Sequence, residues 1–339
     1  MTNMRERTLR EPVIVIASLL VILATGSVYV QKVKDGTVST CVGKHVYSSQ
    51  DLRNVAMNTP SGTTYCIHDG HYSVYSNIQV QSGDTFWGVY SDSSRPTIST
   101  NHAEYIFYTS GTYDATIKNL TVKGAVGGNY CEPDCGRGIG GGGENLTVDN
   151  VRATQNANQG IGGTDKELLV INSTLDHNGS YSFTRDGGAV SSAGIKSVNS
   201  MTILNSRIID NYWVGIWCDL ECGALKVKDS VLSGNGKAGI SDEISSGPAV
   251  IVNNTIKNNG TLYKANRHTG LLIVDSQNVE AYGNTFEGNI EYGVEVAETG
   301  RSPGIGNVSM YHNTMKGDPS RGCDLSGVSC LDLSYHPGS

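Results

Sequence analysis

The sequence predicts an all-β fold: a single-stranded right-handed parallel β-helix, a solenoid with three short strands in each coil. Three observations predict it. Eleven-residue segments recur along the second half of the chain. Apolar positions within them alternate, and a helical 3.6-residue period is absent. The composition suits short strands and turns, with 42 glycines among 339 residues, 17% charged residues and only four phenylalanines.

Seven segments align without gaps: Leu146–Asn156, Leu168–Asn178, Met201–Asn211, Leu225–Asn235, Ala249–Asn259, Val279–Asn289 and Val308–Asp318. A weaker eighth copy starts at Leu120. Positions one, three and eight are apolar in every copy. Position eleven is Asn in six copies and Asp in the seventh, and position five or six is always Asn or Ser.

Positions one and three read as a strand with alternate side chains inward. Asn then turns the chain, because it tolerates a left-handed backbone and bonds nearby main chain. Position eight points inward from a second strand, and the Asn at position eleven turns again. Four residues later Gly160-Ile161, Gly215-Ile216, Gly239-Ile240 and Gly293-Val294 open a third strand. A propeller needs about 40–45 residues per repeat, longer than the spacing here. Coils of roughly 24 residues predict roughly nine to eleven turns of solenoid. Two long insertions, after Asn178 and after Asn259, leave the coil just before the third strand and belong on one side, where solenoids often bind.

The remaining segments frame this domain. Residues 1–11 form a basic stretch with Arg5, Arg7 and Arg10, expected in the cytoplasm. Residues 12–30 carry no charge and read either as a cleavable signal peptide or as a single membrane-spanning anchor. Both readings export the rest of the chain: a linker at 31–40, the solenoid at 41–332 and a tail at 333–339. The first segment, to about residue 75, should cap one end, and the Cys323–Cys330 tail the other.

Eight cysteines on an exported chain predict disulfides, and spacing pairs Cys41 with Cys66, Cys131 with Cys135, Cys218 with Cys222 and Cys323 with Cys330. A zinc site is the alternative. The net charge of −7 offers no basic surplus for phosphates, so nucleic acid is not an expected partner. A monomer is expected, touching a membrane only through its N-terminal segment.

Cys41, Asp51-Leu52, Gly62-Thr63-Thr64-Tyr65-Cys66, Gly70-His71-Tyr72 and Ser82-Gly83-Asp84-Thr85 resemble the opening coils of a known group. Gly215–Gly260, with Trp217-Cys218-Asp219, Gly239-Ile240 and Glu243-Ile244-Ser245, resembles a recurring element of the same group. The group is the exported right-handed β-helix proteins of the pectate-lyase-like superfamily. The resemblance covers most of residues 41–332 and implies the fold. It does not imply one activity, because members include polysaccharide lyases, hydrolases, epimerases and adhesins.

Asp219 and Glu243 each lie four residues after a Gly-apolar glycine and six before the next repeat, so they should stack on adjacent coils about 5 Å apart. Lys196 lies one coil earlier, in a register uncertain by one or two residues. Such a column could bind Ca²⁺ through Asp219 and Glu243, neutralise a uronate and let Lys196 remove its α-proton. The same carboxylate spacing suits a retaining glycoside hydrolase. Arg185 and His268, in the two insertions, are further acid/base candidates. Trp217 and Arg267 are candidates for gripping substrate. The expected function is binding and cleavage of an extracellular acidic polysaccharide, by lyase or hydrolase chemistry. The alternative is a non-catalytic cell-surface adhesin or structural solenoid, with the charges a solvated ladder. Adjacent Asp-Asp, Gly-His-Gly and Asn-Thr-Asp motifs of polygalacturonases are missing, as is the paired-Arg motif of pectate lyases.

Overall fold

The computed structural model describes residues 29–32, 38–91, 94–127, 135–163, 166–180, 184–185, 188–189, 192–263, 265–331 and 334–336. The predicted signal or anchor lies almost wholly outside these residues. Among them, no helix is long and apolar enough to cross a membrane.

Among the described residues, three parallel sheets of twelve, eleven and ten strands run along the solenoid. The chain visits them in turn. Leu146–Asp149 belongs to the first sheet, Arg152–Thr154 to the second and Gln159–Gly163 to the third, and Glu167–Ile171 returns to the first one coil higher. This is a parallel β-helix with three strands per coil.

The pairing register reproduces the repeat alignment. Leu146, Leu168, Met201, Leu225, Ala249, Val279 and Val308 are successive partners in the first sheet. Ala153, Leu175, Ile208, Leu232, Ile256, Phe286 and Met315 are partners in the second. All are buried in one continuous core. Each stacked aliphatic side chain contributes roughly 1.5–3 kcal/mol of burial.

The turns differ from expectation in one respect. Left-handed backbone falls at positions five and ten: Asn172, Asn205 and Asp229 have φ of 51°, 48° and 51°, and His177, Asp210 and Asn258 have 55°, 54° and 53°. The residue after each turns inward. At position eleven this builds a buried ladder, in which Asn178 Nδ2 donates to Asn211 Oδ1 at 3.0 Å, Asn211 to Asn235 at 3.0 Å and Asn235 to Asn259 at 2.9 Å. Each amide is saturated. Asn235 Oδ1 accepts from both Asn211 Nδ2 and Asn211 N, while Asn235 Nδ2 also donates to Ile208 O. Asp318, which only accepts when ionised, ends the ladder by taking both bonds from Asn289.

The ladder explains the glycine four residues on. A Cβ at Gly215 would meet Asn235 Nδ2 at 2.9 Å, and one at Gly239 would meet Asn259 Nδ2 at 3.0 Å. Side chains are excluded because the next coil's main-chain carbonyl, Gly239 O in the first case and Gly270 O at 2.8 Å in the second, and its ladder amide together occupy that space.

The N-terminal end is closed by helix Ser49–Asn58, capped by Ser48 Oγ accepting from Asp51 N, with Leu52 buried beneath it. Cys41–Cys66, Cys218–Cys222 and Cys323–Cys330 are bridged as predicted. Cys135 is also disulfide-bonded, and its predicted partner Cys131 lies outside the described residues. The bridges replace the zinc alternative and place the chain in an oxidising, extracytoplasmic compartment.

Candidate functional site

The third sheet carries the charge. In strands Ala193–Ser197, Val214–Asp219, Ala238–Glu243, Thr269–Val274 and Tyr292–Ala297, the column Ile195, Ile216, Ile240, Leu271 and Val294 points into the core. The neighbouring column of Lys196, Trp217, Ser241, Leu272 and Glu295 therefore faces outward. Two residues on, Asp219 and Glu243 face outward as well and are direct partners on adjacent coils, as their spacing predicts.

Lys196 is level with Trp217, two residues short of Asp219. An even offset keeps the face. The long side chain closes the gap: Nζ lies 2.8 Å from Asp219 Oδ2 and 3.6 Å from the Trp217 ring centroid. The ammonium is thus held by an ion pair and a cation–π contact together. Glu243 takes a different cation, with Oε1 accepting from Arg301 Nη1 at 2.8 Å. Arg301 Nε also donates to Asp275 Oδ2 at 3.0 Å. Burial pushes the Asp275 carboxyl up, but hydrogen bonds from Thr299 and Arg301 outweigh it and hold the group below the usual range. Arg267 Nη1 lies 2.5 Å from the buried Glu295 Oε1, with Arg321 at 3.6 Å.

Asp219 is fixed by the chain behind it. Cys218 points into the core and is bridged to Cys222. Between them Leu220 and Glu221 take left-handed φ of 52° and 69°, unusual for such side chains. A short covalent ring therefore holds the strained corner directly after Asp219.

Lys237 was not foreseen. It precedes the third strand of its coil, and its Nζ lies 5.6 Å and 5.8 Å from the ring centroids of Trp213 and Trp217. Among the described residues no carboxylate is within ion-pair distance of it. Burial lowers its pKa most, Arg267 and Arg301 add to that, and Glu243 and Asp219 oppose it. The insertion after Asn259 roofs this region, with Leu262 and Ala265 packed against Ala193, Trp213, Val214 and Trp217.

Two predicted roles change. Trp217 is only 7% exposed and Lys196 covers a ring face, so it forms a floor and not an open sugar platform. His268 turns into its own loop: Nδ1 contacts Gly260 O at 2.6 Å and Nε2 contacts Ala265 O at 2.9 Å. Both partners are acceptors and a neutral ring has one N–H, so it donates to one of them at a time, and both nitrogens are turned into the loop, away from a ligand on the face. Arg185 lies in a two-residue strand paired with Gly188–Ala189, and its side chain is outside the described residues. Arg267, from the second insertion, lies at the edge of the face and is tied to Glu295.

Asp219 and Glu243 each already hold a cation, and among the described residues no third His, Cys, Asp or Glu joins them. No step is assigned to a metal.

A family described as "Right handed beta helix region" matches residues 105–263. No curated protein matches the chain in sequence. Among solved structures, the surface protein and adhesin PfbA of Streptococcus pneumoniae is 14% identical, covering 86% of this chain and 87% of its own, with a TM-score of 0.55. The mannuronan C-5 epimerase AlgE6 A-module of Azotobacter vinelandii is 14% identical over 87% of this chain and 100% of its own, at 0.47. An alginate lyase from a Paenibacillus species is 14% identical over 86% and 98%, at 0.46. At such identities the likeness concerns fold alone. The family match, the register of the three sheets and the PfbA likeness agree that this chain is a right-handed parallel β-helix repeat protein.

Proposed function

We propose that the outward face of the third sheet binds an extracellular acidic polysaccharide. The observation that carries this is a concentration of five cations, Lys196, Lys237, Arg267, Arg301 and Arg321, on or beside one sheet of a chain whose net charge is −7. Carboxylates pin four of them in fixed positions, and a fixed charge loses less freedom on binding than a mobile one. A face of this kind is local, so the acidity of the whole chain does not oppose it.

Cleavage at the same face is a second reading, favoured by the Lys196–Asp219 pair standing beside Glu243. Elimination suits it better than hydrolysis. Both carboxylates are engaged by cations, which leaves neither as a natural proton donor, whereas Lys196 would serve as a base after passing its ion-paired proton to Asp219 or to solvent. A similar solenoid in the pneumococcal neighbour is named an adhesin, and the alginate-modifying neighbours are named epimerase and lyase. Binding without chemistry is accordingly the alternative outcome.

The test is a panel of polyuronates and neutral glycans, scored for retention on the immobilised chain and for absorbance of unsaturated uronate. Retention of polyuronates alone supports the proposal. Absorbance lost in Lys196→Ala adds elimination. Retention of neutral glycans with equal strength overturns the acidic reading.

A further inference from the structure

We propose that beneath the 260–268 loop the third sheet holds a pocket for one carboxylate group, formed by Lys237, Trp217, Ser241 and Thr269. The inference rests on the acidic-glycan reading and names the chemical group that is gripped.

Besides Glu295 Oε2, whose other oxygen is held by Arg267, three polar atoms on this face, Trp217 Nε1, Ser241 Oγ and Thr269 Oγ1, are buried without a hydrogen-bond partner among the described residues. Their residues are 7%, 0% and 0% exposed. They sit on adjoining coils. Trp217 is the direct partner of Ser241, and Thr269 N donates to Lys237 O at 3.1 Å. The Lys237 ammonium lies beside the Trp213 and Trp217 rings, with no anion paired to it among the described residues. Leu262 and Ala265 cover the tryptophans from above.

Native folds rarely leave several buried polar atoms unpaired side by side. The chemistry of this set selects its occupant. An indole N–H and an ammonium only donate, and hydroxyls donate as readily as they accept. Such a set complements a small anion rich in acceptors, and a carboxylate offers about four lone-pair sites on two oxygens. A metal cation would face donors and an ammonium. A neutral sugar hydroxyl would leave Lys237 uncompensated. Burial weakens the hold of Lys237 on its proton, and an arriving anion would strengthen it.

Isothermal titration of the whole chain tests this with four trisaccharides of one backbone: the uronate, its methyl ester, the neutral sugar and a sulfated form. The uronate should bind at least tenfold more tightly than its ester. Lys237→Met and Trp217→Phe, the latter keeping an aromatic ring and removing the N–H, should each erase that preference, while Lys226→Met, on the first sheet, should not. Circular dichroism checks that each variant is folded. Unchanged preference in both folded variants would overturn the pocket and leave the glycan reading standing. Tighter binding of the sulfated sugar would overturn the assignment to carboxylate. Absence of uronate binding by the folded wild type would overturn both.

Discussion

Asn235 and Lys237 are two positions apart in the chain, and their surroundings differ completely. Asn235 lies in the interior ladder, where its oxygen and both amide hydrogens are bonded to neighbouring coils. Lys237 lies on the outward face, where burial is not matched by a partner. The ladder repeats from coil to coil, while the face does not: Lys196, Trp217, Ser241, Leu272 and Glu295 occupy equivalent places with unrelated chemistry. The interior specifies the solenoid, and the departures from repetition on its surface specify what it recognises.

The contrast breaks most visibly at the ladder. Asn235→Ala should destabilise the chain by roughly 3 kcal/mol or more, since it strands the main-chain and side-chain donors of Asn211, takes the side-chain donor from Ile208 O and leaves the oxygen of Asn259 only its main-chain donor. Urea unfolding measures this. A neutral result would mean that the ladder is decoration on the aliphatic core.

Asp242 is an interior departure from the same rule. It points inward between Cys218 and Ile273, both its oxygens lack partners among the described residues, and desolvation pushes its pKa up to about 8. A carboxyl raised in the folded state penalises folding as pH climbs from the unfolded value near ~4 to the folded one. Asp242→Asn should therefore be close to neutral at pH 4 and increasingly stabilising up to pH 8, by about a few kcal/mol at the plateau. Melting curves of both proteins at pH 4, 6 and 8 check the sign. A difference that does not change with pH would contradict it.

The next effect tests the face. Asp219→Asn removes the anion that positions Lys196, so glycan affinity should fall several-fold, with stability changing by about 1 kcal/mol for this largely shielded pair. Paired titration and melting separate the two. A large loss of stability with unchanged binding would make the pair a structural ladder. The smallest effect belongs to a charge pair away from the site. Lys316→Ala, opposite Glu287 at 3.5 Å on half-exposed side chains, should change stability by less than ~0.5 kcal/mol.

The fold was legible because repetition averages over local ambiguity. Apolar positions one, three and eight recur in seven copies, and their register follows from alignment alone. The ladder was legible as an Asn recurring from copy to copy, but not the left-handed residue before it, since Gln155, His177 and Asp210 share no obvious side-chain chemistry at that site. Asp219 and Glu243 could be paired because both sit in regular strands. Lys196 could be placed on the face only to within two residues. Arg301 could not be found, because it reaches back from a loop to an earlier coil, with a separation of 58 positions between it and Glu243. Lys237 carried a weak signal, lying in the corner where the insertions leave, but its isolation depends on the indole rings beside it. His268 carried a misleading one, because a loop histidine looks alike whether it serves a ligand or its own backbone.

The most direct measurement of the central claim is lysine acetylation of the whole chain with and without a saturating polyuronate, read by mass spectrometry. Slower labelling of Lys196 and Lys237, with Lys226 on the first sheet and Lys257 on the second unchanged, is the predicted result. Protection of Lys226 or Lys257 with Lys196 and Lys237 still reactive would place the glycan on another face and contradict the account.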